Sequence, residues 1–259
     1  MMLLRQLLTS VFAIQWVGWL AASLLRTEKF YDLTGSLTFV YIVLRTILYS
    51  RSCTSWRQKL QAGCVLVWTI RLGGFLFYRV LFEGGDRRFD EIKRNWIKFF
   101  VAWTLQGVWI SASLYPSIRL WEKDETTAQL AFSYQDGFGY SIWLLAWLLE
   151  AVADIQKYRF KRNPANKDKW IDEGVWRIVR HPNYLGEIVI WYMLWLTASQ
   201  TFTSPWEYLT VLCPTFNAVL IIFISGIPPQ AKRGMEKWGH LPEYQEYLSK
   251  RYKLIPFVF

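Results

Sequence analysis

The sequence predicts an all-α protein that crosses a membrane about seven times. Of its 259 residues, 53% are hydrophobic, and 16 are tryptophan and 17 phenylalanine. Most soluble domains of this length contain fewer such large apolar side chains. A net charge of +10 in such an apolar chain is typical of basic cytosolic loops beside anionic lipid, and less typical of a nucleic-acid-binding surface. We therefore expect one transmembrane domain over residues 1–259 that contacts membrane lipid and no nucleic acid.

Seven segments come close to the roughly 20 mostly apolar residues that a transmembrane helix needs. They are Leu7–Leu25, Leu33–Leu48, Leu60–Phe82, Ile97–Tyr115, Phe138–Ile155, Gly186–Phe202 and Tyr208–Gly226. The first follows Arg5 as a signal peptide would, but its apolar run is long for a cleaved segment, so we interpret it as a helix. Three cysteines without a CxxC pair and two histidines argue against a disulfide framework or a metal site.

The distribution of basic residues predicts the orientation of these helices. If the amino terminus is outside, the cytosolic loops and tail contain 20 Lys and Arg, and the opposite side contains 6. Cytosolic loops of membrane proteins carry this excess. The protein is therefore predicted to be multi-pass, with its carboxy terminus in the cytosol, in the endoplasmic reticulum if eukaryotic and the inner membrane if bacterial.

A dense polar stretch, RIVRHPNYLGE (Arg177–Glu187), directly precedes the apolar run IVIWYMLWL. Pro182 suits the first turn of a helix, because it lacks the N–H that would be unpaired there. Asn183, Glu187 and Trp191 would then share one helical face at spacings of four residues.

The start of such a helix would lie at the cytosolic side and would suit a phosphate group. Its free backbone amides and positive dipole end attract anions, and Arg177 and Arg180 add charged donors. The alternative is that Arg180 and His181 lie among lipid headgroups. Glu187 argues against that alternative, because a carboxylate inside a span is costly without a partner.

Two further groups of charged residues lie in or beside predicted spans. Glu150 and Asp154 share one helical face, and the basic run Lys157–Arg162 follows; they could bind ribose and phosphate groups, or form ordinary helix-end pairs. Arg71 lies near the middle of Leu60–Phe82, with Phe75 and Tyr78 on its face, and could face a polar cavity or pair with either carboxylate. In the next loop, Gly84-Gly85 would let backbone approach a ligand.

The stretch GVWRIVRHPNYLGEIVIW resembles the carboxy-terminal signature of the membrane family that contains steroid 5α-reductases and sterol reductases, here spanning about residues 136–259. The more specific resemblance is to its DUF1295 branch. The motifs shared with that branch are WxxRL at Trp68–Leu72, a D-R turn at Asp86–Arg87, EAVAD at Glu150–Asp154 and FKxxPAN at Phe160–Asn166. The ending KLIPFVF, at Lys253–Phe259, is similar to the terminus of the steroid 5α-reductases.

This resemblance implies a seven-helix membrane reductase that binds NADPH between helices at the cytosolic side. It would act like an NADPH-dependent 3-oxo-5α-steroid 4-dehydrogenase, reducing a C=C bond of a steroid, sterol or other enone lipid. The family's cofactor residues fall on Arg71, Asp154, Lys161, Asn183, Glu187, Lys232 or Arg233, and Tyr247. From the local motifs we add Glu150, Arg177, Arg180, His181 and Tyr184.

The catalytic positions of the steroid reductases match less well. Their substrate-polarising tyrosine falls on Trp68, and the comparable early carboxylate is Asp32, so Tyr78 is the alternative proton donor. Two rival functions follow from the same motif. Isoprenylcysteine carboxyl methyltransferases also place an RHPxYxG run before a membrane hairpin and bind S-adenosylmethionine there, but this tail, PPQAKRGMEKWG, is basic where theirs is acidic. The other rival is a non-catalytic protein that keeps the cofactor pocket.

Overall fold

The structure is a computed structural model that describes residues 2–49, 55–83, 89–128 and 131–255. The predicted Gly84-Gly85 turn, the Asp86–Arg87 motif and the last four residues of KLIPFVF lie outside these ranges. Within them the fold is α-helical, and its β-structure is limited to one parallel bridge between Val179 and Tyr252. The all-α prediction is therefore confirmed.

The helices are numbered in chain order. They are α1 (Met2–Leu24), α2 (Tyr31–Tyr49), α3 (Trp56–Glu83), α4 (Trp96–Trp121), α5 (Glu125–Ala128), α6 (Tyr134–Arg162), α7 (Pro182–Ser199), α8 (Pro205–Tyr208), α9 (Leu212–Val219), α10 (Ile227–Trp238) and α11 (Pro242–Lys250). Short 3₁₀ turns lie between several of them, and a π-helix, Leu220–Ile224, follows α9.

Five helical segments in the described ranges are long and apolar enough to cross a membrane, as expected of a multi-pass membrane protein. They are Leu4–Leu24, Trp56–Phe82, Trp96–Trp121, Tyr134–Arg162 and Pro205–Trp238. The other two predicted spans correspond to α2 and α7, which are helices of 19 and 18 residues. Both contain charged residues (Asp32 and Arg45 in α2, Glu187 in α7) and fall outside this set, so the predicted count of seven is not confirmed.

The chain forms two compact units. The first comprises Met1–Ala131 and Ala198–Cys213, and the second comprises Phe132–Thr197 and Pro214–Phe259.

In the first unit, α1, α2, α3 and α4 pack through aromatic side chains. Trp103 is fully buried with Phe99 and Ala22, and the ring of Tyr31 lies 5.2 Å from that of Trp103. Trp68 is also buried, with its ring 5.3 Å from Phe39. Large rings such as these each bury a large apolar area, and their tilted and edge-to-face contacts add to the stabilisation.

Polar bonds join α3 to the chain that follows α4. Arg57 is fully buried, its guanidinium lies 4.6 Å from the ring of Trp56, and it donates to the carbonyl of Ala128 at 3.3 Å. Gln58 donates to the carbonyls of Leu120 and Lys123, each at 3.2 Å. A buried guanidinium needs such acceptors, because its desolvation would otherwise be costly.

In the second unit, α7, α9, the π-helix and α10 contribute to the main core cluster, together with one residue that follows α11. Ile188, Ala218, Ile221, Ile227 and Leu254 form a buried cluster. A second cluster, of Ala153, Ile171 and Trp176, packs the loop between α6 and α7 against α6. This loop contains the polar stretch that leads into α7, so its position is fixed by apolar contacts on one side.

Candidate cofactor site

The polar stretch RIVRHPNYLGE enters α7 as the sequence predicts, and Pro182 is the first helical residue. The chain ahead of the helix is held by two backbone bonds: Leu185 N donates to His181 O at 3.1 Å, and Arg180 N donates to Tyr252 O at 2.9 Å. The first amides of a helix have no partner inside it. An 18-residue helix therefore presents its positive end beside Arg180.

Helices α6 and α7 approach each other closely at Gly186. A Cβ atom placed there would lie 2.7 Å from the carbonyl of Ala146 and 2.9 Å from the Cβ of Glu150. Glu150 is buried at this contact. One turn towards the start of α7, Asn183 Nδ2 donates to Asp154 Oδ1 at 3.3 Å. The structure thus brings Asp154 of α6 into contact with Asn183 of α7, which lies 29 residues further along the sequence.

A chain of polar contacts links α6 to α10 and α7. Lys157 Nζ donates to Gln230 Oε1 at 2.9 Å, and Gln230 Nε2 donates to the Tyr184 hydroxyl at 2.6 Å. The same ammonium lies 4.5 Å from the ring of Trp176, whose indole N–H donates to Ala153 O at 3.0 Å. These contacts hold the Lys157 ammonium at a defined position between α6, α7 and α10.

His181 is buried, with its ring stacked on that of Tyr184 at 5.7 Å. Burial, together with the charges of Lys157, Arg180 and Lys253, lowers the pKa of His181 to about 3. The imidazole is therefore neutral at pH 7. The predicted alternative in which His181 lies among headgroups does not fit its burial.

Three buried polar atoms in this stretch have no hydrogen-bond partner among the described residues. They are Arg180 Nε, His181 Nδ1 and Asn183 Oδ1. Buried polar groups in folded proteins are nearly always paired, and an unpaired one costs about 1–3 kcal/mol. Three of them within four residues mark a place where a polar ligand would restore hydrogen bonds.

An aromatic cluster lies near Arg180. The ring of Trp170 is 5.0 Å from that of Tyr244 and 5.8 Å from that of Tyr247. Burial raises the pKa of Tyr247 to about 12, and Arg180 is close enough for its charge to oppose the rise. The Tyr247 hydroxyl is therefore protonated at neutral pH and can donate a hydrogen bond.

The remaining predicted cofactor residues, except Arg71, lie in the same unit but differ in exposure. Glu187 is partly buried on α7. Lys161 at the end of α6, Arg177 before the polar stretch, and Lys232 and Arg233 on α10 are exposed. Lys232 also lies 3.9 Å from Glu236. These four cations are surface charges of the second unit, whereas the contacts described above are buried or partly buried.

Four predicted site residues belong to the first unit. Trp68 is 1% exposed and packs against Phe39 and Trp109, whereas Tyr78 is 43% exposed with its ring 4.4 Å from that of Phe82. Asp32 and Arg71 are partly buried on α2 and α3. Their contribution to a cofactor or substrate site remains a prediction.

Two residues of the site were not foreseen from the sequence. Gln230 bridges Lys157 and Tyr184, and Trp176 contacts Lys157. Gln230 follows two prolines at the start of α10. In the sequence these prolines indicate only where a helix begins, and they do not indicate that Gln230 contacts a site. Trp176 is part of the GVWR segment, which begins at Gly174 with a positive φ of 56°. The glycine at this position was the sequence signal for a turn that places Trp176.

The protein is therefore an all-helical, multi-pass membrane protein with a polar site at the start of α7. The chain belongs to the family described as protein of unknown function (DUF1295), which it matches over residues 18–251. The resemblance to that family is therefore confirmed.

Two curated proteins are similar to parts of the chain. Delta(14)-sterol reductase TM7SF2 of Mus musculus is 26% identical over 153 residues, which cover 51% of this chain and 34% of that protein. Probable O-methyltransferase ustE of Ustilaginoidea virens is 40% identical over 53 residues, covering 20% of this chain and 18% of that protein. The chain thus spans about a third or less of the length of these relatives. No solved structure matches it at a significant level.

Proposed function

We propose that the protein is a membrane-embedded reductase that binds NADPH beside the start of α7 and reduces a C=C bond of a lipophilic substrate. The observation that carries this proposal is the group of unpartnered buried atoms of Arg180, His181 and Asn183. Such atoms at the positive end of a helix favour an anionic ligand that also offers hydrogen-bond donors. The similarity to a sterol reductase supports a reductase over other classes of enzyme that bind an anionic cofactor.

The groups of NADPH fit the residues present. Its phosphates would meet Arg180, the charge of Lys157 and the first amides of α7. Asn183 donates from Nδ2 to Asp154 Oδ1 at 3.3 Å, so its own Oδ1 and the second oxygen of the Asp154 carboxylate would accept hydrogen bonds from ribose hydroxyls or an amide N–H. The cofactor would supply the hydride, and the chain would bind and orient it.

The exposed cations suggest NADPH in preference to NADH. Lys161, Lys232 and Arg233 carry solvent-facing positive charge in the same unit as the site. A 2′-phosphate, which NADH lacks, would be the natural partner of such a group.

The substrate would be a steroid, sterol or other enone lipid, since the helices of the first unit are apolar. Hydride addition to an enone develops negative charge on oxygen, and a donor in a water-poor site would stabilise that charge. Arg71, Tyr78 and the Trp68 indole are the candidate donors, with Asp32 as the carboxylate that could orient one of them. Of these, Tyr78 has an ionisable hydroxyl and is not enclosed by packing.

A methyltransferase is the second candidate, favoured by the 53-residue similarity to a probable O-methyltransferase. S-adenosylmethionine has a ribose, an amino-acid carboxylate and no phosphate. The Asp154–Asn183 pair suits both cofactors, whereas the cations around His181 suit the phosphates of NADPH.

Calorimetric titration of the detergent-purified protein distinguishes the two cofactors. We expect NADPH to bind, more tightly than NADH, and S-adenosylmethionine not to bind. Asn183→Ala and Glu187→Gln should each weaken NADPH binding by about 1–3 kcal/mol, the cost of losing hydrogen bonds to charged or buried partners. Gln245→Ala, which removes an exposed amide on α11, is the control. Binding of S-adenosylmethionine alone would establish the methyltransferase, and unaltered NADPH affinity in both variants would refute the site.

The reaction itself can be tested with NADPH that carries deuterium at the transferable position. Incubation with a panel of enone steroids, sterols and long-chain enones should move the label into one product class. Tyr78→Phe, which removes only the hydroxyl, should slow the transfer if Tyr78 is the donor and should leave NADPH affinity unchanged. If NADPH binds and no lipid gains deuterium, the non-catalytic interpretation is favoured.

A further inference from the structure

The residues that follow α11, Arg251–Leu254, form a segment that we call the carboxy-terminal strap. Arg251 contacts Asp172 through two parallel bonds, Nε to Oδ1 at 2.9 Å and Nη2 to Oδ2 at 3.1 Å. Tyr252 pairs with Val179 in the parallel bridge. Leu254 is 1% exposed and lies in the core cluster of the second unit.

Each of these contacts reaches the chain that leads into α7. Asp172 lies in the loop after α6, eight residues before Arg180. The Tyr252 carbonyl accepts the Arg180 amide at 2.9 Å, which fixes the backbone from which the Arg180 side chain projects. Leu254 packs in the same cluster as Ile188 of α7. The strap therefore connects the loop, the polar stretch and α7.

The Asp172–Arg251 pair has the geometry that gives an ion pair its strength. Arg–carboxylate pairs with two parallel bonds are stronger and more directional than single contacts. The two side chains are 33% and 28% exposed, so water screens the attraction partly. The pair alone would contribute modestly to stability, but it determines where the Tyr252 carbonyl lies.

We propose that the strap is a positioning device for the anion site, and that Asp172 and Arg251 are its positioning residues. By holding the Arg180 backbone, they keep Arg180 Nε and His181 Nδ1 directed to one ligand. Lys253, whose charge acts on His181, is brought near the site by the same segment. This inference rests on the proposed cofactor site for its effect on binding, while its effect on the backbone is independent of any ligand.

Hydrogen exchange measured by mass spectrometry on residues 178–183 tests the backbone effect in the detergent-purified full chain. In Arg251→Ala and in Asp172→Asn we expect the Arg180 amide to exchange roughly tenfold faster, since its acceptor is no longer held. Exchange within α6 should be unchanged. Lys250→Ala is the matched control, because it removes the Lys250–Glu246 ion pair on the neighbouring helix turn and touches neither Asp172 nor Arg180.

NADPH titration of the same variants tests the effect on the site. We expect the NADPH dissociation constant to rise roughly tenfold in both variants and to be unchanged in Lys250→Ala. The reciprocal exchange, Asp172→Arg with Arg251→Asp, should restore much of the affinity and the slow exchange. Asp172→Asn keeps the side-chain volume and remains informative if Arg251→Ala does not fold.

The outcomes separate this proposal from the proposed function. If exchange is faster in the variants but the wild type binds no NADPH, the role of the strap in holding the Arg180 backbone is supported. The cofactor assignment is then overturned. Unchanged exchange in both variants would overturn the strap. Faster exchange with unaltered NADPH affinity would show that the strap supports the fold without positioning the site.

Discussion

At the scale of single residues, His181 carries a neutral imidazole although its sequence neighbours are basic. A charged imidazole would have to be buried near Lys157, Arg180 and Lys253, so both desolvation and repulsion favour the neutral form. A neutral imidazole can donate or accept at Nδ1, according to its tautomer. In the proposed cofactor site, His181 would therefore contribute a hydrogen bond, and the positive charge would come from its neighbours.

This state of His181 predicts a pH dependence of stability. The pKa is about 3 in the folded protein and 6.5 in the unfolded chain, so the unfolded chain binds more protons between these values. Stability is therefore lost as the pH falls below 6.5. From pH 7 to pH 5 the free energy of unfolding should fall by about 2 kcal/mol through this residue.

Thermal unfolding in detergent at pH 7 and pH 5 measures this loss. His181→Gln should remove the contribution of this residue, whereas His240→Gln, at an exposed position after α10, should leave it unchanged. An equal loss of stability in the wild type and in His181→Gln would show that the imidazole is not buried in its neutral form.

The sequence predicts the members of the site better than their partners. Asn183, Glu187, Glu150 and Asp154 follow from helical spacing and from the cost of carboxylates in a span, because those arguments need only local periodicity. The bond between Asn183 and Asp154 joins two helices, and the sequence pattern instead suggested a pair within α6. Gln230 is further removed, since its contact with Tyr184 depends on how α10 packs.

At the scale of elements, apolar windows locate helices but not their ends. The span predicted at Phe138–Ile155 belongs to a helix that runs from Tyr134 to Arg162. A capping box formed by Ser133 and Asp136 sets its start, and three basic residues occupy its last turn, where they favour the dipole. This extension places Lys157 opposite Gln230. The predicted span Tyr208–Gly226 lies within the helical segment Pro205–Trp238, in which the helix type changes from a 3₁₀ turn at Leu209–Val211 through α9 to the π-helix Leu220–Ile224.

The close packing of α6 against α7 predicts that replacing glycine by alanine lowers stability at Gly186 but not at glycines with open space around them. Gly186→Ala would place a Cβ 2.7 Å from a backbone carbonyl of α6, so the helices must separate. We expect a loss of about 1–3 kcal/mol in stability, the usual cost of overpacking.

Gly63→Ala and Gly74→Ala in α3 are matched controls. A Cβ at either position meets nothing within 4 Å, so these changes should be neutral or stabilise by up to about 1 kcal/mol, the difference in helix propensity. Thermal unfolding in detergent compares the three variants. Equal effects at the three positions would mean that α6 and α7 are not in close contact at Gly186.

At the scale of the whole molecule, the basic loops bear on the number of membrane crossings. If the five apolar segments alone crossed, the end of α6 and the loop that follows it, which hold eight Lys and Arg from Lys157 to Arg180, would lie on the same side as the amino terminus. The basic carboxy-terminal tail would lie on the opposite side. Most of the charge asymmetry would then disappear, contrary to the usual excess on the cytosolic side. The charges therefore favour crossings by α2 and α7 as well.

Cysteine labelling with a membrane-impermeant maleimide tests this topology in a variant whose three native cysteines are replaced by alanine. The exposed residues Lys59, Lys169 and Thr203 are each changed to cysteine in turn. If α2 and α7 cross and the amino terminus is outside, positions 59 and 203 react in intact cells and position 169 reacts only after permeabilisation. If position 59 is labelled only after permeabilisation, α2 does not cross the membrane. If position 203 is labelled only after permeabilisation, α7 does not cross it. In a protein that uses a cytosolic cofactor, position 169 must be on the inner side, because its loop leads directly into the polar stretch at the start of α7.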